Sequence, residues 1–110
     1  MQIFSRKEHD NLVLEIKGRL DALTSSKLEG ECQRVIDQGE KALILDLGGV
    51  DYISSAGLRT ILILARKLNS LEGEMRFCGL RGMVKEVFSI SGFNSIFPVF
   101  PSVTEALVRP

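Results

Sequence analysis

Ala42-Leu43-Ile44-Leu45-Asp46-Leu47-Gly48-Gly49-Val50-Asp51-Tyr52-Ile53-Ser54-Ser55-Ala56-Gly57-Leu58-Arg59 is the junction from which the rest of the chain can be ordered. Ala42 to Leu47 is an apolar run too short for a helix between Gly39 and Gly48-Gly49, so it reads as a buried strand. Tyr52 to Arg59 reads as a polar turn, and a long helical pattern starts near Ala56. Leu58, Ile61, Leu62, Ala65 and Leu68 fall on the core face of that helix, while Ile63 and Leu64 widen it, as extra core or as a ridge for a partner. Two hydroxyls, Ser54 and Ser55, therefore sit at a helix N-terminus. Free backbone N–H groups and the positive end of the helix dipole favour an anion there. Two readings stand at this point: a serine that caps the helix, or a Ser55 that receives a phosphate.

Outward from the junction, strands and helices alternate. Toward the N-terminus, Ile3-Phe4-Ser5 and Leu12 to Lys17 are strands, close enough in sequence for an antiparallel hairpin, and Gly18 breaks the second. Leu23 and Leu28 bracket Thr24 as a hydrophobic staple brackets an N-cap. The helix that follows carries Leu28, Cys32, Val35 and Ile36 on one face and ends at Gly39. Toward the C-terminus, Glu72-Gly73-Glu74 turns into a strand over Met75 to Leu80, and a short helix around Val84, Val87 and Phe88 ends near Gly92. Ile96 to Phe100 is a brief extended segment that Pro98 confines to a sheet edge or strand end. Ser102 caps a last helix through Val103, Ala106 and Leu107. The expected fold class is α/β: a mixed, mainly parallel sheet with an N-terminal hairpin, covered by about four helices.

Composition excludes several functions. A chain of 110 residues makes one domain with one core. Its 14 basic and 14 acidic side chains cancel, whereas a nucleic-acid binder carries a basic excess, so no nucleic-acid partner is expected. No run of about 18 apolar residues exists to span a bilayer. The first ten residues lack the uninterrupted apolar stretch of a signal peptide. Cys32 and Cys78 are solitary in apolar patterns and read as reduced core thiols of a cytoplasmic protein, with a disulfide between them as the alternative.

The serine junction invites comparison with the nucleophile elbow of hydrolases. That turn needs glycine two residues before and two after the nucleophile. Gly57 stands at the second position, but Ile53 occupies the first. The one histidine, His9, lies in a polar stretch near the N-terminus, and Lys41 and Lys67 give no local base signature. No Gly-Lys-Ser/Thr loop or dinucleotide fingerprint is present. One histidine and two distant cysteines supply no metal site. No catalytic residue, metal or cofactor is expected. The chain reads as something acted upon.

Three segments, in order and at compatible spacing, resemble the STAS domain family of sulfate transporters and anti-sigma-factor antagonists. Leu45 to Leu58 is similar to the family's strand, loop and Asp-Ser-x-Gly-Leu signature. Gly18-Arg19-Leu20-Asp21 resembles its Gly-x-Leu/Ile-Asp segment, and Val87 to Phe93 with Ile96-Phe97 its late helix, glycine and return strand. The resemblance covers nearly all of residues 1–110. It implies a single-domain bacterial anti-sigma-factor antagonist that binds a kinase-type anti-sigma factor and so frees a sigma factor. It further implies that the kinase phosphorylates the serine matching Ser55, that a PP2C-like phosphatase resets it, and that Asp21 lies by the phosphorylation site. Ser54, Ala56, Gly57 and Arg59 complete the expected partner and phosphate site, with Arg59 one turn from Ser55 and able to pair with a phosphate or simply stand exposed. The family's phosphorylated serine usually follows Asp; here Ser54 precedes Ser55 and is the alternative acceptor. The expected protein is a monomer or weak dimer. The second reading within the family is a constitutive adaptor, as in lipid-transport complexes, that binds without phosphorylation.

Overall fold

The computed structural model describes residues 1–108. The sheet has five strands, β1 (Gln2–Glu8), β2 (Asn11–Leu20), β3 (Ala42–Ile53), β4 (Glu74–Cys78) and β5 (Val99–Phe100). Their spatial order equals their order in sequence. β1 and β2 form the antiparallel hairpin, and every later pairing is parallel. The described residues hold five helices: α1 (Ser25–Asp37), α2 (Ser55–Ser70), α3 (Gly82–Ile90), α4 (Phe93–Ile96) and α5 (Val103–Leu107). The expected mixed α/β architecture is therefore present, with α4 as an additional single turn.

Strand alternation decides which face each helix covers. Leu12, Leu14 and Ile16 of β2 and Leu43, Leu45 and Leu47 of β3 point into the main core with Leu28, Ile61, Leu64, Leu68, Val84 and Phe88 from the helices. Val13 and Ile44 point the other way, into a small cluster with Cys78 and Ala106 beneath α5. Phe77 lies at the heart of the main core. Its ring meets Phe88 at 5.3 Å and Phe97 at 5.1 Å, and Phe93 joins both of those rings. Both cysteines are buried and free. Burial, with a smaller push from Glu31 at Cys32 and from Asp46 at Cys78, raises each thiol to about 12, so neither offers a thiolate at neutral pH.

Several local expectations are corrected. β2 runs through Gly18 to Leu20, with Gly18 at φ +110° and a register shift beside it. β3 likewise continues through Gly48-Gly49 to Ile53, which reduces the expected turn over Tyr52 to Arg59 to the single residue Ser54. A side chain at Gly49 would lie 2.7 Å from Lys17 Cγ and 3.0 Å from the Ile16 carbonyl oxygen. Glycine here lets two strands approach across a bulge and does not end the strand. β4 stops at Cys78, two residues short of Leu80, and Gly79 follows it at φ +75°. Ile96 belongs to α4, so only Val99 and Phe100 of the expected extended segment pair, at the sheet edge. The staple at Thr24 does not form, because Leu23 is 89% exposed. On α2, Leu64 is core and Ile63 is half exposed. Ser102 caps α5 by accepting the Glu105 N–H.

Two helices end alike. After α1, the N–H of Gly39 donates to Ile36 and that of Glu40 to Val35, with Gly39 at φ +99°. After α2, Glu72 donates to Asn69 and Gly73 to Leu68, but the left-handed residue is Glu72, at φ +63°. A β-carbon strains that conformation, and glycine does not. Glu72→Gly should therefore raise stability by about 0.5–1 kcal/mol after its extra unfolded-state entropy is deducted. A urea titration giving a lower midpoint would contradict this assignment of strain.

Candidate functional site

The pairing of β2 with β3 builds the site. Leu20 lies opposite Ile53 where both strands finish, and the Ser54 N–H donates to the Leu20 carbonyl oxygen at 2.9 Å. The chain then turns directly into α2. The β2–α1 turn, with Asp21, and the β3–α2 junction, with Ser54 and Ser55, thus share the carboxyl end of the sheet, where open α/β sheets hold their ligands.

Ser54 is the N-cap of α2, in extended conformation, and its Oγ accepts the Gly57 N–H at 3.3 Å. Ser55 is the first helical residue. It is exposed, and its hydroxyl makes no hydrogen bond among the described residues. Of the pair, Ser54 takes the cap and the Ser55 hydroxyl stands free. The N–H groups of Ser55 and Ala56 have no helical carbonyl four residues back, which leaves them for water or an anion. Ala56 is half-buried, and Gly57 is buried against Leu20 and Ile53. Arg59 is exposed one turn further on and forms no ion pair among the described residues.

The Asp21 carboxylate is engaged in its own turn. Oδ1 accepts the N–H of Leu23 at 3.0 Å and of Thr24 at 3.1 Å, and Oδ2 faces Arg19 Nε at 3.5 Å. Its partial burial opposes ionisation, but the N–H donors of Thr24 and Leu23, with Arg19, hold the carboxyl below its ordinary value. A depressed folded-state value means that the turn gains from the carboxylate at neutral pH and loses that gain as acid protonates it.

Arg19 and Tyr52 carry no role in the sequence reading. In the structure the Arg19 guanidinium lies 4.1 Å from the Tyr52 ring centroid, which ties the Asp21 turn to the strand leading into Ser54. Their neighbouring positions in two parallel strands depend on a register shift between Gly18 and Arg19, for which one-dimensional periodicity gives no signal.

The STAS domain matches residues 3–106. The chain belongs to the STAS domain family. It is 43% identical over 99 residues to BtrV of Bordetella bronchiseptica, which is named as an anti-sigma factor antagonist; the match spans 90% of this chain and 85% of that protein. A solved Thermotoga maritima structure described as an anti-sigma factor antagonist superposes with a TM-score of 0.91 at 18% identity, covering 96% of this chain and 91% of that one. The antagonist SpoIIAA of Bacillus, solved in its phosphorylated form, superposes at a TM-score of 0.74 and 18% identity, covering 96% of each chain. At these identities the two structures speak to the STAS fold alone. No helix among the described residues is long and apolar enough to cross a membrane.

Proposed function

We propose that this STAS protein is an anti-sigma factor antagonist of a partner-switching pathway. Unmodified, it binds a kinase-type anti-sigma factor and releases a sigma factor; phosphorylation of Ser55 by that kinase ends the complex, and a PP2C-like phosphatase restores it. It works by binding, in the cytoplasm, without catalysis or cofactor. The observation that carries this reading is the division of labour at the junction: Ser54 takes the cap, so Ser55 presents an exposed hydroxyl at the first position of a 16-residue helix. The name of the Bordetella relative supports the same class of partner.

Charge supplies the mechanism. A phosphate brings about −1.5 to −2 charges at pH 7 and three strong acceptor oxygens. At the N-terminus of α2 it meets free N–H groups and a favourable dipole, an interaction of about 0.3–1 kcal/mol near the surface, so folding tolerates it. Arg59, at a spacing of four along the helix, can pair with it. A partner packed over the junction must instead strip water from the phosphate. Since ~1.4 kcal/mol is a tenfold change in affinity, a few kcal/mol suffice to end a complex.

Incubation with the host's anti-sigma kinases and ATP should add one phosphate, mapped to Ser55. Ser55→Ala should keep binding the kinase, and Ser55→Asp should weaken binding with little change in melting temperature. Phosphate on Ser54 alone would displace the acceptor assignment. A protein that no host kinase modifies, yet which stays bound in a larger complex, would be the constitutive adaptor, the reading favoured by Ser54 standing where the family usually has Asp.

A further inference from the structure

We propose that Leu23 is the apolar anchor of the interface with the anti-sigma kinase, and that Asp21 is a positioning residue that holds it in place. The inference rests on the reading of the protein as an antagonist and names a contact within that interface.

Leu23 is the most exposed large apolar side chain among the described residues, at 89%. An isolated exposed leucine is ordinary; the backbone that carries this one is not. Across residues 19–25, Thr24 Oγ1 donates to the Arg19 carbonyl at 2.7 Å and accepts the Asp21 N–H at 2.9 Å. Ser25 Oγ donates to the Asp21 carbonyl at 2.5 Å. Asp21 Oδ1 accepts the N–H of Leu23 itself and that of Thr24. The side chain therefore projects from a turn pinned on both flanks, so its backbone loses little further freedom on binding. Hydrogen bonding inside the turn also explains where the Asp21 carboxylate is directed: toward residues 23 and 24, with Arg19 on its other oxygen.

Location selects the occupant. Leu20 and Ile53 pair where β2 and β3 end, and Ser54 donates to Leu20, so the Leu23 turn and the Ser55 junction lie side by side. A partner that senses phosphate at Ser55 must pack against the surface beside it. Leu23, carried on the same turn as the polar Arg19, Asp21 and Thr24, fits an apolar pocket ringed by polar groups, the usual form of an interface centre. Ile90 offers an internal comparison. It is 86% exposed but ends α3, a helix that begins after β4 and runs back toward the opposite end of the sheet.

The test uses the 110-residue chain and each anti-sigma kinase of the host, purified and immobilised, with thermal melts of every variant. Leu23→Ala should weaken binding by about tenfold, as expected for truncation at an interface centre, with an unchanged melt. Ile90→Ala should bind as wild type does. Asp21→Ala should weaken binding in the wild-type background but change it by less than about twofold when Leu23 is already alanine, since a positioning residue has no effect without its object. Wild-type affinity for Leu23→Ala, while Ser55→Asp still weakens binding, overturns this inference and leaves the antagonist reading standing. Fully additive losses at the two positions overturn the positioning role of Asp21. Failure of every host kinase to bind the wild-type protein removes the antagonist reading and this inference together.

Discussion

Gly57→Ala should lower stability by about 1–3 kcal/mol, although alanine is the better helix former by about 0.8–1 kcal/mol. A β-carbon at Gly57 would lie 2.8 Å from both Leu20 Cγ and the Leu20 carbonyl oxygen, and 3.1 Å from Ile53 Cγ1. Leu20 and Ile53 are the last paired residues of β2 and β3, so they have little room to yield. Helix α2 would have to lift from the sheet by its first turn, carrying Ser55 with it. Partner binding should fall along with stability. The same substitution at Gly30 provides the contrast: that glycine lies inside α1, and a β-carbon there would meet nothing within 4 Å. Gly30→Ala should gain about 0.8–1 kcal/mol. Melts of the two variants should move in opposite directions by several degrees, and a gain at Gly57 would show the junction to be looser than its packing distances require.

Phe77→Ala should cost about 3–5 kcal/mol, a large share of the roughly 5–15 kcal/mol that holds a domain of this kind together. Its ring is wholly buried and lies between Phe88 and Phe97. Its backbone also fixes the last strand, donating to the Pro98 carbonyl at 3.0 Å and pairing with Val99. Removing the ring opens a cavity that α3, α4 and β5 all border, and these elements should loosen together. Phe77→Leu keeps most of the volume and should cost less than about 1.5–2 kcal/mol. Urea unfolding checks both. A loss below about 1 kcal/mol for the alanine variant would mean that the core refills the space.

The sequence patterns that could be read were those whose cause lies nearby. Leu58, Ile61, Ala65 and Leu68 announce α2 because a helix repeats along its own length. Gly39 and Ser102 mark helix ends because caps are local hydrogen bonds. Ser55 could be located for the same reason, at the passage from a strand to a helix. Where the cause is a neighbour distant in sequence, the reading failed. Gly48-Gly49 looks like a stop signal, and only the approach of Lys17 and Ile16 makes Gly49 a bulge inside a longer strand. Leu23 looks like half of a staple until the Asp21 turn swings it outward. The Arg19–Tyr52 stack exists only in one register of two parallel strands. α4, at four residues, is shorter than any periodicity can reveal.

The identity of spatial and sequential strand order bears on how the molecule is made. No later strand has to be threaded between two earlier ones. The β1–β2 hairpin closes over a two-residue gap, and each subsequent strand finds its neighbour already in place. The sheet can therefore grow outward along a single edge. A ribosome releases the chain N-terminus first, so strands emerge in the order in which they dock. Vectorial assembly of this kind keeps each closing loop no longer than one helical crossover, which holds down the entropy of every pairing step.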